Sequence, residues 1–184
     1  NVSNAPSRRI WGMPSMKILL IAGGWSSERE VSLTGARGMQ EALLKRGHAV
    51  TFFDLLENFD ELLETARQHD FALINLHGSP GEDGLVQAML EKADCPYQGS
   101  GPSGSFLALN KAAAKQIFRM AGLPTADWEF LPVRPAEGWE PRLPWPLFVK
   151  TTTGGSSLRL GRATNRQELD ALMDEIFAAG EGVL

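Results

Sequence analysis

Three short apolar runs, separated by stretches of helical periodicity, constrain this chain more than any other feature. Lys17-Ile18-Leu19-Leu20-Ile21-Ala22 is apolar after its lysine and ends at Gly23-Gly24. Ala49-Val50-Thr51-Phe52-Phe53 is the second run, and Phe71-Ala72-Leu73-Ile74-Asn75-Leu76, broken by His77-Gly78, is the third. A short continuous apolar run is how a buried parallel strand reads. Ser27-Glu28-Arg29-Glu30 has the Ser-x-x-Glu spacing of a capping box, which predicts a helix start. Val31, Leu33, Met39, Leu43 and Leu44 give that helix an apolar side, and Gly47 stops it. Residues 60–68 form a second amphipathic stretch. Strands alternating with helices predict a parallel sheet with right-handed crossovers. Ligands of open sheets sit at the carboxyl ends of the strands. Two polar loops stand at such ends: residues 23–28, and His77-Gly78-Ser79-Pro80-Gly81-Glu82-Asp83-Gly84.

The rest of the chain changes character. Residues 84–92 read as a short helix. Gly99-Ser100-Gly101-Pro102-Ser103-Gly104 matches the dinucleotide pattern G-x-G-x-x-G, but no long apolar strand precedes it and no ribose-binding acid follows at the right distance. A turn into a helix over 103–109 is the better reading. Asn110 is placed as an N-cap for a helix over 111–120 that ends at Gly122. Pro132, Pro135, Pro141, Pro144 and Pro146 then crowd a connector that also holds Trp139 and Trp145, with a strand candidate at Trp128-Glu129-Phe130-Leu131. The strand-like Pro146-Leu147-Phe148-Val149 leads into Lys150-Thr151-Thr152-Thr153-Gly154-Gly155-Ser156-Ser157. Two glycines allow a tight backbone, and the small residues leave N–H groups unscreened, so this loop can wrap an anion with Lys150 beside it. The same composition also suits an ordinary polar turn. Residues 158–162 read as the return strand of a hairpin. Asn165-Arg166-Gln167-Glu168 repeats the capping-box spacing, ahead of Leu169, Leu172, Met173, Ile176 and Phe177. Gly182-Val183-Leu184 reads as the beginning of another strand.

Composition excludes several classes. The formal net charge of the 184 residues is −4, and no basic block stands out, which argues against a nucleic-acid surface. No apolar run approaches the roughly 20 residues needed to span a bilayer. Cys95 is the single cysteine, so no internal disulfide forms, and the cytoplasm is the expected compartment. Residues 1–15 read as a disordered arm whose first residues resemble a cloning remnant.

Several of these pieces, in order, resemble one family. Gly23-Gly24-Trp25-Ser26-Ser27-Glu28-Arg29-Glu30-Val31-Ser32 resembles the signature loop of D-alanine–D-alanine ligases. Leu76-His77-Gly78 with Gly81-Glu82-Asp83-Gly84 resembles their second motif. Pro96-Tyr97-Gln98-Gly99-Ser100-Gly101, Asn110-Lys111 and Ala121-Gly122-Leu123-Pro124 are similar to the entry into their central domain. Lys150 with Gly155-Ser156-Ser157 is similar to their nucleotide-covering loop. Each motif alone is weak; their common order from Lys17 onward makes the match specific.

The resemblance implies an α/β fold: a three-layer, parallel-sheet, Rossmann-like (pre-ATP-grasp) domain over 16–109, followed by a small α+β ATP-grasp central subdomain over 110–184. It implies an ATP-dependent ligase that joins two D-alanines through an acylphosphate, for peptidoglycan. Glu28 and Ser156 would be catalytic, in a relay. Glu28, Val31 and His77 would bind D-alanine. Lys111, Lys150, Gly155, Ser156 and Ser157 would bind ATP. The cofactors implied are ATP and Mg²⁺, with the metal ligands expected in a further domain; the partners are D-alanine and a second copy of the chain, with no nucleic acid and no membrane. The expectation is therefore a truncated ligase, inactive alone. A related D-alanine–X ligase and a stand-alone, non-catalytic half of an ATP-grasp protein are the alternatives. An oxidoreductase built on residues 99–104 is a third reading.

Two departures stand out in the nucleotide-covering loop. Thr151 replaces the family's proline, and Leu158-Arg159 replaces its Val-Gly. Arg159 puts a bulky cation where backbone is expected to approach phosphate.

Overall fold

In a computed structural model that describes residues 14–155 and 159–184, the chain forms two compact units, 1–103 and 104–184. In the first, strands β1 (Lys17–Ala22), β2 (Ala49–Asp54) and β3 (Phe71–Ile74) make a parallel sheet in the order β2-β1-β3. Each expected apolar run is thus a strand, with the central one buried on both faces. The period of two sorts its side chains. Leu19 and Ile21 join Phe53, Ala72, Leu62, Ala66, Val86 and Leu90 on one side. Leu20 and Ala22 join Ala36 on the other, with Leu33, Val50, Phe52 and Leu73 packed against them. Helix α1 (Arg29–Lys45) covers that second face, and α3 (Leu62–Ala66) and α4 (Leu85–Lys92) cover the first, giving three layers.

Two helix starts differ from the expected ones. Ser27 does not cap α1: the N-cap position belongs to Glu28, which makes no side-chain capping bond, and its backbone N–H instead donates to Ser26 Oγ at 3.2 Å. The expected single helix over 60–68 is broken. It begins earlier as α2 (Leu55–Asn58), passes through a 3₁₀ turn at Phe59–Glu61 and resumes as α3. The early start follows from Asp54, whose side chain accepts the Leu56 N–H at 3.2 Å, a cap supplied by the last residue of β2.

The run 99–104 leads into α5 (Pro102–Leu109), with no strand before it beyond a single parallel bridge between Ala72 and Tyr97. Asn110 caps α6 (Lys111–Met120), its side chain accepting the Ala113 N–H at 3.0 Å. In the second unit, β4 (Leu147–Val149) and β5 (Gly161–Ala163) form an antiparallel hairpin under α7 (Arg166–Ala178). Val149, Ala163, Leu169, Met173, Ile176 and Val183 make its core. Gly161 lets α7 pack closely, because a Cβ there would lie 2.4 Å from Leu172 Cδ2 and the leucine would have to shift.

The capping box at α7 forms with a shifted partner. Asn165 accepts the Glu168 N–H at 3.0 Å, while the Glu168 carboxylate reaches back to the Thr164 N–H at 2.7 Å. Val183 bridges antiparallel to both Leu131 and Thr151, so the expected last strand exists as a central rung. The strand expected over 128–131 contributes only the Leu131 bridge. The expected arm at 1–15 lies almost wholly outside the described residues.

Candidate functional site

The first cluster of candidate residues sits at the carboxyl ends of β1 and β3. After β1 the backbone turns through Gly23 and Gly24, at φ 78° and 76°, a region that favours glycine. A Cβ at Gly24 would meet Leu76 Cδ2 at 3.3 Å and Pro80 Cδ at 3.5 Å, and one at Gly78 would meet Ser26 Cβ at 3.5 Å. The two loops therefore pack directly on one another, which brings the loop of Glu28 beside the loop of His77. Both side chains are half-buried. Glu28 stands at the N-terminus of α1, where unpaired N–H groups favour an anion. Val31, in the first turn of that helix, is 61% exposed.

What holds this arrangement was not singled out from the sequence. Ser32 is fully buried. Its Oγ accepts the Gly23 N–H at 2.8 Å and donates to the carbonyl of Asn75, and Asn75 Nδ2 donates back to the Ser32 carbonyl at 2.7 Å. One side chain on α1 thus ties the end of β1 to the end of β3. Arg29 forms a bidentate pair with Asp54, at 2.7 and 2.6 Å, and its Nη1 also donates to the Gly24 carbonyl at 3.3 Å. No pattern in the sequence pairs Ser32 with Asn75 or Arg29 with Asp54, because both contacts cross the sheet.

The second loop is held from within. Glu82 accepts the Gly78 N–H at 3.1 Å. Asp83 accepts the Leu85 N–H at 2.9 Å and the Ser79 hydroxyl at 2.5 Å. Buried Gln87 donates to the Gly81 carbonyl at 2.6 Å. The paired acids of this motif are thus committed to backbone and hydroxyl groups of their own loop. Among the described residues, no group of three or more His, Cys, Asp or Glu side chains could hold a metal ion.

The Arg29–Asp54 pair also makes a pH prediction. The hydrogen bonds from Arg29 hold the Asp54 carboxyl below the ordinary carboxylate range, against the opposing effect of burial. A carboxylate whose folded pKa lies below its unfolded one stabilises the fold above the unfolded value, and that contribution is lost as pH falls through the depressed one. Asp54→Asn should therefore reduce stability at pH 7 and flatten the loss of stability below about pH 4. Urea midpoints measured from pH 7 to pH 3 would read this directly; parallel curves for both proteins would count against it.

The second cluster gathers at the end of β4. Lys111, the first residue of α6, sends its Nζ to the carbonyl oxygens of Gly154 and, at 3.4 Å, Thr152. Its backbone N–H also donates to Thr152, at 2.9 Å. Burial lowers the pKa of this ammonium, the nearby charge of Lys150 lowers it further, and Glu181 opposes both. The Lys115 ammonium is lowered by burial and then by Lys150; it donates to Thr125 Oγ1 at 2.7 Å and lies 5.2 Å from the centroid of Trp128. Three ammonium groups thus share one field, an arrangement that suits a polyanion. Lys111 and Lys115 are one turn apart on the same helix, where like charges repel, and α6 contains no acid.

The glycines of the loop behave differently from expectation. Gly154 has no positive φ; it is needed because a Cβ would lie 2.2 Å from Thr151 Oγ1. Arg159 is left-handed, at φ 52°, a conformation that strains a side chain other than glycine. Gly155 is exposed. Ser156, Ser157 and Leu158 lie outside the described residues, so the roles expected of both serines rest on the sequence.

No protein-family model matches the chain. Individual proteins do. It is 75% identical over 169 residues to a D-alanine–D-alanine ligase of Desulfovibrio desulfuricans, covering 92% of this chain and 55% of that protein. It is 63% identical over 170 residues to the corresponding ligase of Nitratidesulfovibrio vulgaris, covering 92% and 56%. Among solved structures, the D-alanine–D-alanine ligase of Bacillus anthracis superposes with a TM-score of 0.80 at 35% identity, over 92% of this chain and 56% of that one. The same enzyme complexed with ATP superposes at 0.78 and 32% identity. The chain is thus related to D-alanine–D-alanine ligases over nine-tenths of its length, and it spans about half the length of the curated relatives it matches.

Proposed function

We propose that this chain carries the first-substrate and phosphate-gripping parts of an ATP-dependent ligase that joins two D-alanines for the cell wall. ATP transfers its γ-phosphoryl group to the carboxylate of one D-alanine, leaving ADP. The amine of the second D-alanine then attacks the acyl carbon, and the C–O bond to phosphate breaks. Such a reaction needs positive charge and backbone donors where negative charge develops, not a covalent nucleophile on the protein. Glu28 orients the ammonium of the first D-alanine, and Val31 lines its place at the first turn of α1. His77 stands by the carboxylate to be phosphorylated. Lys111 and Lys150 hold ATP phosphates, and Gly155, Ser156 and Ser157 cover them, with Ser156 and Glu28 the catalytic residues. A closing loop keeps water from the acylphosphate.

The observation that carries this reading is the group of half-buried cations, Lys111, Lys115 and Lys150, that share one field beside a glycine-rich loop, in a chain of net negative charge. A surface salt-bridge network would pair such lysines with acids; here the Lys111 ammonium bonds two carbonyls and the Lys115 ammonium a hydroxyl.

The Mg²⁺ ion implied by this chemistry finds no fitting donor set among the described residues. Glu82 and Asp83 are engaged within their own loop, and no acidic cluster replaces them. Among the described residues no helix is long and apolar enough to cross a membrane. A cytoplasmic homodimer belongs to the same proposal, and sedimentation of the full-length protein would read its oligomeric state.

The test separates the two substrates. In the full-length protein, Lys111→Ala and Lys150→Ala should each raise KM for ATP about 10- to 100-fold, the loss of one charge-assisted phosphate contact. Glu28→Gln should raise KM for the first D-alanine instead and leave KM for ATP near its starting value. ADP release coupled to dipeptide formation is the assay. Unchanged kinetics in all three variants would refute the assignment.

A further inference from the structure

Glu181 lies outside every motif that the sequence singles out, yet it bonds the foot of the glycine-rich loop, as Lys111 does. Its Oε2 accepts the hydroxyl of Thr153 at 2.5 Å. The residues after it are laddered onto the same segment: Thr152 N–H donates to the Gly182 carbonyl at 2.8 Å, and Lys150 and Leu184 exchange backbone bonds at 3.0 and 2.9 Å. There is no slack in this seam. A Cβ at Gly182 would lie 3.0 Å from Thr152 Oγ1. The Lys111 ammonium holds the same segment through the Thr152 and Gly154 carbonyls.

We infer that Glu181 is a positioning residue for the nucleotide site: its carboxylate anchors Thr153 at the root of the glycine-rich loop and supplies the counter-charge that keeps the Lys111 ammonium in place for phosphate. The inference rests on the function proposed above. It concerns a residue that touches neither substrate there, and it acts through Lys111 and the loop.

Three charged neighbours define the electrostatics. Lys150, from the end of β4, and Glu181, from the segment after α7, face Lys111, and Lys115 follows one turn later on α6. Two of these three are cations. Glu181 is therefore the one named carboxylate that offsets the burial and repulsion lowering the Lys111 pKa. Removing its charge while keeping its shape should lower that pKa further, so that the ammonium neutralises at a lower pH.

The experiment is steady-state kinetics on the full-length protein, with KM for ATP measured from pH 6.5 to pH 10. Glu181→Gln should raise KM for ATP about five- to tenfold at pH 8, the worth of one charge-assisted interaction. It should also move the alkaline loss of ATP binding about one pH unit lower, with kcat changed far less than KM. Glu181→Asp should restore the alkaline limb. Thr153→Val removes the hydroxyl anchor alone, so it should raise KM about threefold without moving the limb. An anchor with no electrostatic role would leave the limb fixed in Glu181→Gln, which would overturn the counter-charge; an unchanged KM in Thr153→Val would overturn the anchor. Lys111→Ala is the control. If it raises KM for ATP while Glu181→Gln leaves KM and limb in place, the inference fails and the proposed function stands. If Lys111→Ala also has no effect, the assignment of the lysines fails first.

Discussion

Gly81→Ala should lower stability by about 2–4 kcal/mol and impair binding of the first substrate more than binding of ATP. The new Cβ would lie 2.1 Å from Leu76 Cβ and 3.2 Å from Leu76 Cα. The obstacle at Leu76 is partly backbone, so a rotamer change there cannot relieve it. Leu76 is buried in the core and directly precedes His77, and Gly81 also offers its carbonyl to Gln87. Relief requires the two sides of the loop to part, which moves His77. A urea titration should show a lower midpoint at unchanged slope. Kinetics should show a larger rise in KM for D-alanine than for ATP. A variant as stable as the parent would mean that the loop has room the geometry does not reveal.

Ser32→Ala is expected to cost about 2–4 kcal/mol, because it strands two buried partners rather than one. The Gly23 N–H loses its acceptor and the Asn75 carbonyl loses a donor. Ser32 is fully buried, so water cannot replace the hydroxyl without opening the helix–sheet interface. Ser32→Cys keeps a weak donor and acceptor of larger size, and should fall between alanine and the parent. The readout is again the urea midpoint, joined by amide hydrogen exchange at Gly23. Faster exchange confined to the ends of β1 and β3 would mark a local release; unchanged exchange at Gly23 would show that its N–H does not depend on Ser32.

Much of the scaffold was legible because its signals are local. The strands at Lys17–Ala22 and Ala49–Asp54 announce themselves by largely apolar runs, and Asn110 and Asn165 announce helix starts by side-chain chemistry within three residues. Reading failed where a local signal had a competitor. Ser27-x-x-Glu30 has the spacing of a cap, but the chain turns one residue later because Ser26 takes the Glu28 N–H. The helix expected from Asp60 starts at Leu55 because Asp54, which no sequence motif marks, is itself a cap.

For the candidate site, the loops bearing Glu28, His77, Lys111 and Lys150 could be named from order and spacing. The groups that hold them could not. Ser32 with Asn75, Arg29 with Asp54, and Thr153 with Glu181 are separated by 43, 25 and 28 residues, and each pair exists only after the chain has folded. Periodicity carries no information at such distances. The reason for a glycine at position 154 was hidden in the same way, since it depends on the side chain of Thr151.

The space beside Gly23 has a consequence for how this loop can vary. A Cβ there would lie 2.5 Å from both Arg29 Nη1 and Asp54 Oδ1, so the glycine, the guanidinium and the carboxylate occupy one volume between them. Once any of the three is altered, the reason for keeping the other two weakens, and their separate effects stop adding. Drift at this corner is thus epistatic: a side chain at position 23, strained by the positive φ in any background, finds room only in one that has already given up the ion pair.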